Sequence, residues 1–488
     1  MATRYPWSFN VHFHDVGLDD DDPKPSKEKL DAALVVADKA FAAIRDLGGT
    51  FVRTDFPWKL VQPEQPDPAD TKFNKLVIEF CRSYVEAAGK HGIEVICILY
   101  QTPTWAKTVC ERDPNAFYLY YKDYCKTIAK AMEGKVRYYQ LWNEPNNIFT
   151  FLNGAKDQFA TKINFPLMFH IAETGLHEAG YPWETMLNFL VNAVTELEAF
   201  TSVIDATFGT LVNVLTGIRD VAAFLGILDE NLSRTLNQAV NDLGAMENLY
   251  ANSFSWKRAI NYYVDMNHVV NPNNRINIYG IDHYPGTWSP RQYEDWSPLN
   301  DTATIISRHG KSLAVLETGF TTWEMNEEIK PSVEILEQFA LMLTMSIAQP
   351  IIDIIKFVFD AILSLIPEPF KSGIVKLIPT ADQIRELFKT NINPTIVGLL
   401  KSIYINGHTY NEQAVWIDRA IGGLYANPQC SSLKFINWYE LKDQDSKPPE
   451  MPKDIGGLFD IPEKKFGILL MDGTPKKGYQ PLKAQIHG

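Results

Sequence analysis

Short, almost wholly apolar runs alternate with longer stretches of helical periodicity, and this alternation restricts the fold more than any other feature. Residues 7–14 read as a first strand. Lys27 to Leu47 carries apolar residues at helical spacing (Leu30, Leu34, Ala37, Phe41, Ile44) and stops at Gly48-Gly49. A strand over 51–58 precedes a helix over 72–90, which stops at Gly92. A strand over 93–100 precedes a helix over 115–132, and residues 136–142 form a fourth apolar run. Strand-then-helix units of roughly 40 residues, with strands apolar on both faces, predict a parallel α/β sheet. Further strand patterns occur at 184–191, 275–284, 312–319 and 432–440. Eight strands with helices between them predict a closed (β/α)8, or TIM, barrel rather than an open sheet.

Two intervals are too long to be simple connections. Residues 195–248 and 324–408 are helical in pattern and unusually apolar. The second holds an uncharged run of 15 residues, 338–352, interrupted by Pro350. That is short of the roughly 18–20 residues a bilayer span requires. Both intervals follow barrel strands, so both are expected to emerge at the strands' carboxyl ends and pack together as a helical cap there. The expected layout is strands one to five in 1–194, an insertion in 195–248, strands six and seven in 249–323, a second insertion in 324–408, and strand eight with a C-terminal segment in 409–488.

The net charge of −13, with no basic block, argues against nucleic acid as a partner and against attraction to anionic lipid. Five cysteines without a Cys-x-x-Cys pair suggest no disulfide framework. Residues 1–7 show no apolar signal core, which leads to the expectation of a cytoplasmic protein.

Two carboxylates stand at the ends of buried strands. Trp142-Asn143-Glu144-Pro145-Asn146 closes the fourth run; Pro145 cannot donate to a ladder, so the strand must stop near Glu144. Glu317 follows Leu313-Ala314-Val315-Leu316 in the seventh. Glu173 repeats the local Glu-Thr-Gly triplet, but its surroundings have helical spacing, so it is expected in a helix. Glu440 competes as a carboxylate near the eighth strand. In a barrel, carboxyl strand ends converge on one cavity. Two carboxylates roughly 5–5.5 Å apart there suit retaining glycoside hydrolysis, one as proton donor and the other as nucleophile. His12, His14 and His283 show no metal-ligand spacing and read as hydrogen-bonding pocket or core residues.

At these residues the chain resembles the clan A glycoside hydrolases, and families 39 and 5 look nearest. The resemblance covers the barrel and neither insertion. It implies Glu144 as acid/base, Asn143 as the contact to the sugar 2-hydroxyl and Glu317 as nucleophile. It implies that His283-Tyr284 is the strand-six pair, with Tyr284 bonded to the nucleophile, and that Arg53 supports the same carboxylate. It implies Trp438 as an aromatic platform under the sugar. Thr102-Pro103-Thr104-Trp105-Ala106 leans towards family 39, and the segment Phe466 to Lys476 is similar to the final segment of such enzymes. Trp105 and Trp288 are further candidates for the mouth. No metal or organic cofactor is implied.

The expected activity is therefore that of a retaining β-glycosidase acting on a carbohydrate or glycoconjugate. The apolar insertions leave three readings open: a cap buried against the barrel or in a homo-oligomer, a pocket for the hydrophobic aglycone of a glycolipid or steryl glycoside, or peripheral contact with a membrane surface. A non-catalytic barrel binding a hydrophobic ligand, and a transglycosylase using the same glutamates, are the alternatives.

Overall fold

In a computed structural model of the chain, which describes residues 5–18, 22–147, 163–191, 198–224, 226–287, 292–322, 332–376, 378–405, 408–444 and 464–488, eight parallel strands close into a barrel. They are β1 (Trp7–Asn10), β2 (Phe51–Asp55), β3 (Glu94–Leu99), β4 (Tyr138–Leu141), β5 (Glu184–Leu190), β6 (Ile276–Asp282), β7 (Ser312–Thr318) and β8 (Ile436–Trp438). Each pairs with its neighbours in sequence order, and β8 closes onto β1 with Phe9 opposite Trp438. The helices between them start and stop where local chemistry directs. Ser26 caps Lys27–Leu47, whose end is Gly48 in the left-handed region at φ 90°. Asn74 caps Lys75–Lys90, and Asp113 caps Pro114–Met132 with proline in the first turn.

Successive strand residues point alternately into the barrel and out against the helices. The inward side chains form layers. An apolar one holds Ile96, Met186, Ile278, Ala314, Leu316 and Phe435. Towards the carboxyl ends the interior becomes polar, with Asn10, Arg53, Gln140, Asn188, Asp282, Glu317 and Asn437 all buried.

One irregularity sets up that polar layer. Ile281 pairs with Val315, but Asp282 pairs with Glu317, so β7 carries an extra residue, Leu316. Strict alternation from Ala314 and Leu316 would send Glu317 outward. The bulge instead brings Leu316 and Glu317 inward in succession. Gly280 on β6 makes room, because a Cβ there would lie 2.4 Å from the Leu316 side chain.

The long intervals are helical. Glu198–Phe224 and Glu230–Phe254 follow β5; Val333–Leu365, Glu368–Val375, Ala381–Asn391 and Asn393–Ile405 follow β7. Leu211, Leu215, Leu236, Leu336, Ile355 and Leu400 belong to one apolar core shared by both sets and separate from that of the barrel. Two details differ from expectation. The helix Val333–Leu365 continues through position 350, so Pro350 does not divide it. The first insertion runs past residue 248 to Phe254, directly before the barrel helix Trp256–Val270. Among the described residues no helix is long and apolar enough to cross a membrane.

Candidate active site

Arg53, on β2, is the centre of the polar layer and is fully buried. Its Nη1 donates to Glu317 Oε1 at 2.6 Å and to Asn10 Oδ1 at 3.1 Å. Its Nε donates to Gln140 Oε1 at 2.8 Å, and Nη2 donates to Asn143 Oδ1 at 3.0 Å. A guanidinium can only donate, so these bonds fix which way each amide faces. Gln140 must then present its nitrogen elsewhere, and it donates to Trp142 O, Asn143 Oδ1 and Asn188 Oδ1. Asn188 in turn donates from Nδ2 to Asn143 Oδ1 at 2.8 Å and to Asp282 Oδ2 at 2.5 Å. The Asn143 oxygen thus receives three bonds, which directs its amide nitrogen away from Arg53. Burial alone would discourage the Arg53 charge, but the adjacent Glu317, by its charge and its hydrogen bond, leads the opposing effects and the guanidinium stays above its ordinary value.

Glu317 is buried, and its second oxygen accepts from the Tyr284 hydroxyl at 2.6 Å. Glu144 is half-buried and lies beyond the end of β4, on a turn. Trp142 and Glu144 have φ of 66° and 41°, the left-handed region that non-glycine residues enter at a cost of about 1–2 kcal/mol. Neighbouring bonds hold this turn. Gln140 engages Trp142 O, and Glu144 N donates to Asn188 Oδ1 at 2.9 Å. Asn146 clamps Leu190 of β5 through both its amide groups, and Asn147 N closes onto Glu144 O. The Glu144 Oε2 atom accepts from Asn147 Nδ2 at 2.6 Å.

A third carboxyl group, Asp282, completes the cluster. One oxygen from each of Glu144, Asp282 and Glu317 lies within 4.8 Å of the others. Asp282 is fully buried. Burial foremost, and then the charges of Glu317 and Glu144, hold its carboxyl well above the usual carboxylate range, against the pull of Arg53.

Beside Asn10 lies a polar rim. His12 Nδ1 is 2.7 Å from Asp55 Oδ1, and its Nε2 faces Glu440 Oε1 at 3.4 Å. Gln101 Nε2 donates to Asp55 Oδ2 at 2.6 Å, and Gln444 Nε2 donates to Glu440 Oε1 at 2.7 Å. Burial pushes the Asp55 carboxyl up, but the bond from His12 and its charge prevail and hold it below the usual range. His14, Asp15 and Glu440 bring a second trio of donor atoms within 4.8 Å. Within that trio His14 Nε2 lies 3.2 Å from Asp15 Oδ1.

Strand parity reassigns two expected site residues. His283 lies between inward Asp282 and Tyr284, so it points outward; its Nε2 is 2.7 Å from Asp295 O and its ring meets Trp296 edge-on. Burial lowers its pKa, which favours the neutral ring. Trp438 follows inward Asn437, whose amide donates to Asn10 Oδ1. Its indole is 0% exposed and packs against Trp416 on the helix side, leaving no ring face for a ligand. The next residue, Tyr439, lies with Tyr284 and Phe466 in an aromatic cluster, 5.9 Å from the His12 ring. Trp105 is half-buried, donates to Gln62 O and packs edge-on against Trp58 and Tyr120. Trp288 lies outside the described residues. Glu173 sits in the helix Phe165–Ala179, where its Oε1 accepts from Thr185 Oγ1 and Arg275 N.

Sequence reasoning missed Asn10, Gln140, Asn188, Asp282 and Asn437. Each is a polar residue inside an otherwise apolar strand, and that interruption was the available signal.

No protein-family model and no curated protein matches the chain. Solved structures do. A β-glucosidase from Thermotoga maritima, in complex with methoxycarbonyl-substituted glucoimidazole, matches with a TM-score of 0.52 at 11% identity, over 100% of this chain and 99% of that one. The β-glycosidase BGL167 matches at 0.49 and 11%, over 99% and 96% of the two chains. Xylanase 10B from Thermotoga maritima matches at 0.45 and 11%, over 99% and 95%. The structural neighbours are thus glycoside hydrolases of clan A, and what the chain shares with them is the eight-stranded parallel barrel.

Proposed function

We propose that the chain is a retaining β-glycosidase. One observation carries this reading: a buried glutamate held by an arginine and a tyrosine, Glu317, lies close to a half-buried glutamate on the next-but-two strand end, Glu144. An oxygen separation within 4.8 Å supports the roughly 5–5.5 Å carboxyl spacing of retaining enzymes rather than the roughly 6.5–9.5 Å of inverting ones. Arg53 and Tyr284 donate to the two oxygens of Glu317, which holds the carboxylate in place and aims it as a nucleophile. Glu144 is more exposed and accepts from Asn147 on Oε2, and that exposure suits proton exchange with a leaving group and with water.

In the first step Glu317 attacks the anomeric carbon while Glu144 protonates the departing glycosidic oxygen. In the second, Glu144 takes a proton from water, the water oxygen bonds to the anomeric carbon, and the ester to Glu317 breaks. The Asn143 amide nitrogen is oriented to donate to the sugar 2-hydroxyl. Tyr439 replaces Trp438 as the proposed aromatic surface, and the rim of His12, Asp55 and Glu440 supplies partners for sugar hydroxyls.

Among the described residues the insertions share an apolar core of their own, which favours a self-supporting helical module over a lipid-facing one. A hydrophobic aglycone remains part of the proposal for what this module contacts. Glu317→Gln and Glu144→Gln are each expected to cut turnover of an aryl β-glycoside by several orders of magnitude. NMR of the first-formed product is expected to show retained anomeric configuration, and an inverted product would overturn the mechanism. A panel of aryl β-glucoside, xyloside, galactoside and mannoside beside one lipid-linked glycoside identifies the sugar and tests the aglycone. Added acceptor alcohols separate hydrolysis from transglycosylation.

A further inference from the structure

The reaction above uses two carboxyl groups, and the site contains three. Asp282 ends β6 between the other two, and no bulk water reaches it. Its Oδ2 atom accepts from Asn188 Nδ2. That direction is fixed, because Asn188 Oδ1 is already committed to Gln140 Nε2 and the Glu144 amide. Its other oxygen, Oδ1, is buried and has no donor among the described residues. What lies near the carboxyl instead is two further carboxyls, those of Glu144 and Glu317. Arg53, the cation bonded within this group, points its Nη1 at Glu317 rather than at Asp282. A buried carboxylate beside two others, with one of its own oxygens lacking a donor, is a costly arrangement. The same group carrying a proton on that oxygen gains a donor beside two carboxyl acceptors, and the arrangement becomes favourable.

We propose that Asp282 is a neutral carboxylic acid throughout the catalytic cycle and that its Oδ1–H donates to Glu144 whenever Glu144 is ionised. The proposal rests on the glycosidase reading and assigns Asp282 as a positioning residue acting through Glu144. Its proton is never transferred. After Glu144 has given its proton to the leaving group, it is a carboxylate beside a covalently occupied Glu317. The bond from Asp282 then holds it ready to accept the proton of water. The groups facing Asp282 are Glu144 from the β4 turn, Asn188 from β5, Glu317 from β7 and Arg53 from β2, with Tyr284 two residues further along its own segment. Of these, Asn188 is the only one that is not titratable.

Three measurements on the full chain test this. Infrared difference spectra of the resting enzyme, Asp282→Asn minus wild type, should lack a protonated-carboxyl C=O band that wild type retains at neutral pH. Loss of a carboxylate band instead would overturn the proposal, and this readout needs no turnover, so it stands apart from failure of the glycosidase reading itself. In kcat/KM profiles, Asp282→Asn should leave the pH positions of both limbs within about 0.3 units, because one neutral donor replaces another. If Asp282 were ionised, removing its charge would let both glutamates ionise more easily, and both limbs would move to lower pH by about a unit or more. Finally, Asp282→Leu should slow the second step. With an activated aryl glycoside, kcat and KM should fall together by about 10- to 100-fold and glycosyl-enzyme should accumulate, whereas Asp282→Asn should stay within about tenfold of wild type. Equal losses in the two variants would overturn the assigned donor role.

Discussion

Arg53→Met is the perturbation on which the site reading depends most. The arginine is fully buried and makes four bonds, one of them to the carboxylate proposed as nucleophile. Methionine fills much of the volume and supplies none of the donors. Glu317 would keep its burial and the Tyr284 bond but lose its cation. Breaking a buried pair from one side costs about 3–5 kcal/mol, because the remaining charge is uncompensated. The amides of Gln140 and Asn143 would also lose the donor that sets their direction. For a single preorganised donor at a reacting centre, mutation typically costs about 10²–10³ in rate, so kcat/KM should fall at least that far. Arg53→Lys restores a charge but not the fork, so it should recover stability more than activity. Denaturant unfolding and kcat/KM of both variants check this. A Met variant that kept kcat/KM within tenfold, or lost less than about 1 kcal/mol, would refute the reasoning.

Other perturbations test separate links. Gly280→Ala puts a Cβ 2.4 Å from Leu316, so the bulge that turns Glu317 inward must shift; kcat should drop about 100-fold, as an ångström-scale misplacement does, with a smaller loss of stability. Burial pushes the Glu173 carboxyl up to about 7, well above its unfolded value, so its contribution is fully present below the unfolded pKa and is lost as pH rises through 7. The loss is worth about 3 kcal/mol at most, and Glu173→Gln should flatten stability between about pH 5 and 8 in urea melts. Lys476 and Asp443 form a buried pair at 2.6 Å that ties the C-terminal segment to the barrel mouth, and burial lowers the lysine to about 8. Lys476→Met should cost about 3–5 kcal/mol, and the double variant with Asp443→Leu should cost clearly less by thermal unfolding, because no lone charge remains.

The barrel was legible because its signals are local. Helix caps at Ser26 and Asp113, the glycine stop at Gly48 and apolar runs for strands are all short-range features. Glu144 and Glu317 were legible because each ends such a run. What could not be read was which of two adjacent residues faces inward. At β6 the conspicuous His283 drew attention, yet the inward neighbour is Asp282. At β8 the conspicuous Trp438 did so, yet the inward neighbour is Tyr439. Parity is a property of the closed barrel, and a one-residue slip exchanges the faces of a whole strand. The bulge at Leu316 makes the same point in reverse. Counting by two from Ala314 would have turned Glu317 away from the cavity, and only the register with β6 shows why it does not.

Direction within the polar layer follows from a single constraint. Arg53 donates and cannot accept, so Gln140, Asn143 and Asn10 present oxygens to it. Gln140 then has only its nitrogen left, which makes Asn188 present an oxygen on that side and a nitrogen towards Asp282. The chain of donors ends at Asp282 Oδ2, and no further donor in it reaches Oδ1. Five strands thereby polarise one another from one guanidinium outward, and the two ends of the relay are both carboxyl groups: Glu317, which receives the positive charge directly, and Asp282, which receives only an amide. Two acids on neighbouring strands thus stand at opposite ends of one network, one beside a cation and the other beside an amide.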